Sequence, residues 1–239
     1  CPHSSPSATR GLRPPVCGRW PRNWWDAMDK RFCIFDMDGT LVDSMRYWKN
    51  LGLDYLGARG IRPEEALLRA MESMTMLEGA ACFMDAFGIP GPPQRIVDEM
   101  EAIMDVRYRK DVDLKPGAKE YLERLRGRGC RLCVATATAE PLSRACLSRL
   151  GVDGLFDFIL SCETLGVSKE HPDVYLSAAR RLGAQPAETA VFEDALYAAR
   201  TARDAGFYTV AVSEPAYASD WPALSALADE TLLDWRSAV

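Results

Sequence analysis

Histidine is nearly absent from this chain of 239 residues: His3 and His171 are the only two, too few for a histidine-based zinc set. A second C-x-x-C is also missing. Eight cysteines are scattered along the chain, and Cys130 and Cys133 form the one such pair. Residues 131–136 between and beyond them read as a strand, so buried structural thiols are expected rather than a redox or zinc motif. A reducing cytoplasm fits them. There is no basic excess, with 29 Lys and Arg against 34 Asp and Glu, a net charge of −5 and a pI of about 5.2. That balance argues against a nucleic-acid groove. No apolar run approaches the ~20 residues of a membrane span. No internal repeat or heptad run is visible. What is plentiful is apolar surface: 48% of residues are hydrophobic, enough for one large domain or a core with an insertion.

Residues 1–27 differ from the rest. They carry five Pro, four Arg and the pair Trp24-Trp25 without apolar periodicity. They read as an over-extended or disordered tail. The alternative is a transit peptide, Arg-bearing and poor in acids, although its prolines oppose an amphipathic helix. From Met28 onward the net charge is −8, because the tail holds four Arg against Asp26.

The most informative stretch is Phe35-Asp36-Met37-Asp38-Gly39-Thr40-Leu41. It follows a short apolar segment, residues 32–35, that reads as a buried strand. Two carboxylates two residues apart are thereby placed past a strand's C-terminal end, the edge where open α/β sheets bind ligands. They share a face only while the chain stays extended, after which Gly39 permits a turn. Packing has no use for two acids there, and burying unpaired charge is costly. A metal ion or a phosphoryl-transfer site accounts for them.

Residues 43–112 read as an all-helical insert of about four helices. Met45, Trp48, Leu51 and Tyr55 recur at helical spacing. Pro63-Glu64-Glu65 resembles a helix first turn. Met76, Ala80, Met84 and Phe87 mark a third helix, and Ile96 to Tyr108 a fourth. The insert holds seven of the nine Met, a forgiving core for a cap that moves over a site.

Beyond Pro116 strands and helices alternate. Helices are expected over 118–126, 141–150, 172–182 and 195–205, and strands over 131–136, 156–161, 189–192 and 208–212. This predicts an α/β fold, a doubly wound parallel sheet, with core residues 28–42 and 113–239 interrupted by the helical cap. Two further strand ends carry chemistry. Thr136 ends one strand, where a hydroxyl and free N–H groups can hold phosphate oxygens. Glu193-Asp194 ends another. Asp194 alone reads as a helix cap, but with Asp36 and Asp38 at the same edge the metal reading overtakes it. Four acids this close repel one another. Lys169 and Mg²⁺, which suits carboxylates and carbonyls, supply the missing positive charge.

In this order, Asp36-Met37-Asp38-Gly39-Thr40, Thr136, Lys169 with Pro172-Asp173, and Glu193-Asp194 resemble the four motifs of the haloacid dehalogenase superfamily. The match is to its phosphatases with a helical cap after the first strand and to the beta-phosphoglucomutase-type group, over residues 30–234. Two departures are mild. Glu170 stands where Pro is frequent after the lysine, and Ala195 where Ser or Thr is frequent after the last acids. The resemblance implies Asp36 as nucleophile and Asp38 as general acid and base. It implies Mg²⁺ held by Asp36, Asp194 and the backbone carbonyl of Asp38, with Glu193 a possible ligand. Thr136, Ala137 and Lys169 would hold the phosphoryl group, joined by Gly39 and Thr40 of the first loop. The implied activity is hydrolysis of a small phosphomonoester, such as a sugar phosphate. A sugar-phosphate mutase is the rival, disfavoured because mutases often carry Val where Thr40 stands. A non-catalytic binding module is the remaining alternative. A metal-free dehalogenase lacks the second acid, and a phosphonate-cleaving relative would want a cap lysine, for which Lys49 is the one candidate before Lys110. No nucleic-acid or membrane partner is expected, and a monomer is the default. Trp48 is expected in the core of the insert, with Arg46 and Lys49 on a solvated face.

Overall fold

Burial on both faces explains why the strands of this protein read as unbroken apolar runs. The computed structural model describes residues 30–64, 67 and 74–238. The tail expected over residues 1–27 and most of the helix expected from Pro63 lie outside them. The first strand, β1 (Phe32–Phe35), is followed by three described helices: α1 (Met45–Gly57), α2 (Met76–Phe87) and α3 (Pro93–Lys110). Then come α4 (Ala118–Gly127), β2 (Arg131–Thr136), α5 (Glu140–Arg149), β3 (Phe158–Ser161) and a single turn, α6 (Cys162–Leu165). The chain continues through α7 (Asp173–Leu182), β4 (Thr189–Glu193), α8 (Leu196–Asp204), β5 (Tyr208–Val212), α9 (Trp221–Leu227) and β6 (Glu230–Leu232).

Among the described residues six strands form one sheet, all parallel, in the order β3-β2-β1-β4-β5-β6. The fold is the expected doubly wound α/β sheet with a helical cap inserted after its first strand. Successive side chains alternate between faces. Cys33, Phe35, Val134 and Phe192 enter one core, which continues through Leu51, Tyr55, Phe83 and Met104 of the helical insert. Ile34, Cys133, Ala135 and Val191 enter the other, covered by Val174, Tyr175, Ala178 and Leu182 of α7. Cys33, Cys130, Cys133, Cys146 and Cys162 are buried free thiols.

The chain leaves β1 for β2 and β3 on one side, then returns beside β1 as β4 and builds outward again. The switch therefore lies between β1 and β4, in register from Phe32 against Thr189 to Phe35 against Phe192. Beyond that register the Asp36 N–H donates to the Phe192 carbonyl at 3.0 Å. This brings the ends of both acidic motifs side by side.

Several boundaries differ from the sequence reading. β3 begins at Phe158 rather than Phe156, because residues 153–155 form a 3-10 turn and the Phe156 N–H bonds back to Asp153 at 3.1 Å. Helices α4, α5, α7 and α8 shift by a residue at one or both ends. The elements α6, α9 and β6 were not expected.

Candidate active site

Two turns and a helix start build the site. After β1 the chain runs Asp36 to Thr40, and Gly39 sits at φ 78°. A Cβ at Gly39 would lie 2.1 Å from Asp194 Oδ2, so only glycine lets the two loops meet. The Thr40 hydroxyl donates to Asp194 Oδ1 at 3.1 Å. The Thr40 carbonyl in turn accepts from the Trp235 indole at 3.0 Å. Ala195, at the start of α8, offers no side chain to cap it.

Asp36, Glu193 and Asp194 are all buried, and each offers a carboxylate oxygen within 4.8 Å of the other two. Lys169, also buried, donates to Asp36 Oδ1 and, at 2.7 Å, to Glu193 Oε1. The Tyr175 hydroxyl donates to the same Glu193 oxygen at 2.7 Å. Burial pushes the Asp36 carboxyl up to about 7, with Lys169 opposing and Glu193 and Asp38 adding to the rise. Burial, then Asp36 and Glu193, holds Asp194 well above the usual carboxylate range. Burial opposes the charge on Lys169, but Asp36 and Glu193 outweigh it and keep the ammonium protonated.

Asp194 Oδ2 is buried without a hydrogen-bond partner. An unpaired buried carboxylate oxygen is costly, and here it faces two further carboxylates. A hard divalent cation taken up by oxygen ligands fits this donor set. Glu193 stands within the cluster, yet its Oε1 is engaged by Lys169 and Tyr175.

Asp38 lives in a different setting. Its Oδ1 accepts from the Ser44 hydroxyl at 2.7 Å and from the Tyr108 hydroxyl. Its Oδ2 accepts from Thr138 at 2.7 Å and Thr136 at 3.4 Å. The Trp48 indole donates to the Tyr108 oxygen at 2.9 Å. Burial and the adjacent Asp38 raise the Tyr108 hydroxyl far above its ordinary range, so it stays a donor.

A cavity of about 330 Å³ lies over these groups, lined by Asp36, Asp38, Ala137, Lys169 and Asp194 from the sheet edge and by Met45 and Trp48 from the insert. Trp48 is therefore not a purely internal residue, as its place in the apolar stripe led one to expect. It is half-buried, packs on the core and faces the cavity. Arg46 and Lys49 are exposed, and Arg46 pairs with Asp43 at 3.4 Å. A larger recess of about 500 Å³ lies where the two linkers meet the sheet. It holds the closed pair Lys115–Glu214 at 2.8 Å and none of the strand-end carboxylates.

Sequence reasoning did not single out Ser44, Tyr108, Thr138 or Tyr175. Thr138 carried a signal, since it repeats the i, i+2 spacing of Asp36 and Asp38 at the next strand end. Tyr108 was hidden within an apolar stripe: its ring is core and only its hydroxyl reaches the site.

The model of the haloacid dehalogenase-like hydrolases matches residues 30–206. The chain belongs to this family. Hexitol phosphatase A of Escherichia coli (strain K12) is 30% identical over 77% of this chain and 83% of its own. Phosphoglycolate phosphatase of Rhodobacter capsulatus is 29% identical over 76% of this chain and 83% of its own. The crystal structure of CbbY from Rhodobacter sphaeroides in complex with phosphate superposes with a TM-score of 0.66 at 23% identity, covering 86% of this chain and 95% of that one. This last likeness concerns the fold.

Proposed function

We propose that this protein is a Mg²⁺-dependent phosphatase that hydrolyses a small phosphomonoester, a sugar phosphate or similar metabolite, through an aspartyl phosphate on Asp36. One observation carries the reading. Two carboxylates at one strand end sit in opposed environments: Asp36 with Lys169 and the acidic cluster, and Asp38 within a ring of hydroxyls. A nucleophile and a proton carrier need that separation of roles. The named relatives that act on hexitol phosphates and phosphoglycolate support it.

Asp36 attacks phosphorus while the bond to the leaving oxygen breaks, and Asp38 gives that oxygen its proton. Water then attacks the phosphorus of the aspartyl phosphate and passes a proton to Asp38. Inorganic phosphate leaves and the Asp36 carboxylate returns. Lys169 donates to Asp36 and opposes the proton that burial favours there. The Thr136 hydroxyl and the Ala137 N–H bind transferring oxygens, and Gly39 and Thr40 shape the loop beneath them. The side chains of Asp36 and Asp194 and the carbonyl of Asp38 would hold Mg²⁺, which supplies Lewis-acid charge when bound. Residues 43–112 act as the cap that excludes water.

Asp36→Asn tests the assignment. It removes the nucleophile at nearly constant shape, and phosphate release from a panel of phosphate esters with Mg²⁺ should vanish while the circular dichroism spectrum is kept. Retention of most activity would refute it. The same panel distinguishes the sugar-phosphate mutase: glucose 1-phosphate with a trace of bisphosphate would give glucose 6-phosphate rather than free phosphate.

A further inference from the structure

Four side-chain hydroxyls converge on Asp38, and three come from the linker and the sheet edge: Ser44, Thr136 and Thr138. The fourth, Tyr108, comes from α3 of the insert. Its ring is fully buried. The Trp48 N–H can only donate, and it gives its hydrogen to the Tyr108 oxygen at 2.9 Å. The rings meet edge to face, with centroids 6.5 Å apart. With one lone pair of Tyr108 engaged by Trp48, its own hydrogen is turned to Asp38 Oδ1.

An aspartate carboxyl rotates broadly about its last torsion. Donors on both oxygens, arriving from separate segments, fix its plane. We propose that Tyr108, oriented by Trp48, is a positioning residue that aims the Asp38 carboxyl at the leaving oxygen of the substrate. The inference rests on the phosphatase reading. Neither Tyr108 nor Trp48 exchanges a proton with the substrate: the proton passes from Asp38 to the leaving oxygen and returns to Asp38 from water. A general acid counts only within hydrogen-bond reach of its target, so the aim of Asp38 becomes a property of where the insert sits.

The test separates leaving groups by their need for a proton. An alkyl phosphate expels a strongly basic oxygen and needs the acid. p-Nitrophenyl phosphate expels a weakly basic phenolate and barely needs it. With enzyme in excess and Mg²⁺ present, leaving-group release is followed for sorbitol 6-phosphate and p-nitrophenyl phosphate. Tyr108→Phe should slow release from the alkyl ester about 10- to 100-fold, a part of the roughly 10²–10⁴-fold that a general acid contributes, while p-nitrophenol release falls less than about threefold. Asp38→Ala sets the limit of the same pattern. Trp48→Phe, which keeps a ring and loses the N–H, should reproduce it in weaker form. Equal losses for both esters would mark Tyr108 as merely structural and overturn the inference, as would no loss for either. If the unaltered protein releases neither alcohol, the phosphatase reading fails and the inference falls with it.

Discussion

Lys169 is buried between Asp36 and Glu193, and this one cation stands against three carboxylates in the cluster. The imbalance gives the pH dependence a sign. Burial raises Asp36 from 3.8 to about 7, so the folded protein holds a proton there that the unfolded chain gives up earlier. A raised folded value means stability that is full below the unfolded pKa and lost as pH climbs through the folded one. Without a divalent cation, the melting temperature should fall between about pH 5 and pH 8. With millimolar Mg²⁺ the fall should shrink, because the cation replaces the proton. Thermal melts across that range in EDTA and in Mg²⁺ check this, and superimposable curves would refute it. At this scale much of the site was legible in the sequence. Asp36, Asp38, Thr136, Glu193 and Asp194 announce themselves because strand ends need no polar clusters for packing. Tyr108 did not, because it meets Asp38, 70 positions away, only across the fold, and Ser44, six positions from Asp38, is masked by its place before a helix. Ser44 precedes α1 as a cap would, yet its hydroxyl goes to Asp38 and caps nothing.

At the scale of elements, the loop after β1 and the start of α8 approach so closely that one methyl group would collide. Gly39→Ala puts a Cβ at 2.1 Å from Asp194 Oδ2 and asks a side chain to adopt φ 78°. The expected result is a loss of about 1–3 kcal/mol in stability from backbone strain alone. Mg²⁺ affinity should also weaken at least tenfold as Asp194 is displaced. Chemical denaturation and calorimetric titration read the two effects separately, and an unchanged Mg²⁺ affinity would remove Asp194 from the ligand set. Strands β1, β2, β4 and β5 were legible since both of their faces are buried. β6 was not: three residues at a sheet edge, half-buried at Glu230 and Thr231, leave no periodic trace. The seven residues of α9 bury only Leu224, too little to stand out against a loop.

For the whole molecule, the geometry of the two linkers sets how the insert rides on the sheet. The Asp43 N–H donates to the Asp113 carbonyl at 2.9 Å, and Val42 bridges Leu114, so the entering and leaving chains run as a pair. On one flank the insert is tied to the core: the Arg149 side chain on α5 donates to the carbonyl of Tyr108 at 3.2 Å and to that of Val112. A cap hinged at paired linkers and seated over a phosphate site should tighten when that site fills. Hydrogen exchange with a phosphate analogue and Mg²⁺ should show added protection within residues 43–112, concentrated in α1 and α3. Unchanged exchange there would count against cap closure.

The bond from the Trp235 indole to the Thr40 carbonyl spans 195 positions of sequence. Trp235 is made 195 residues after Thr40, so during synthesis the loop holding Asp36 and Asp38 lacks this brace until Trp235 has emerged. Of the side chains that hold this loop, Tyr108, Thr138, Asp194 and Trp235, the indole is the last that synthesis supplies.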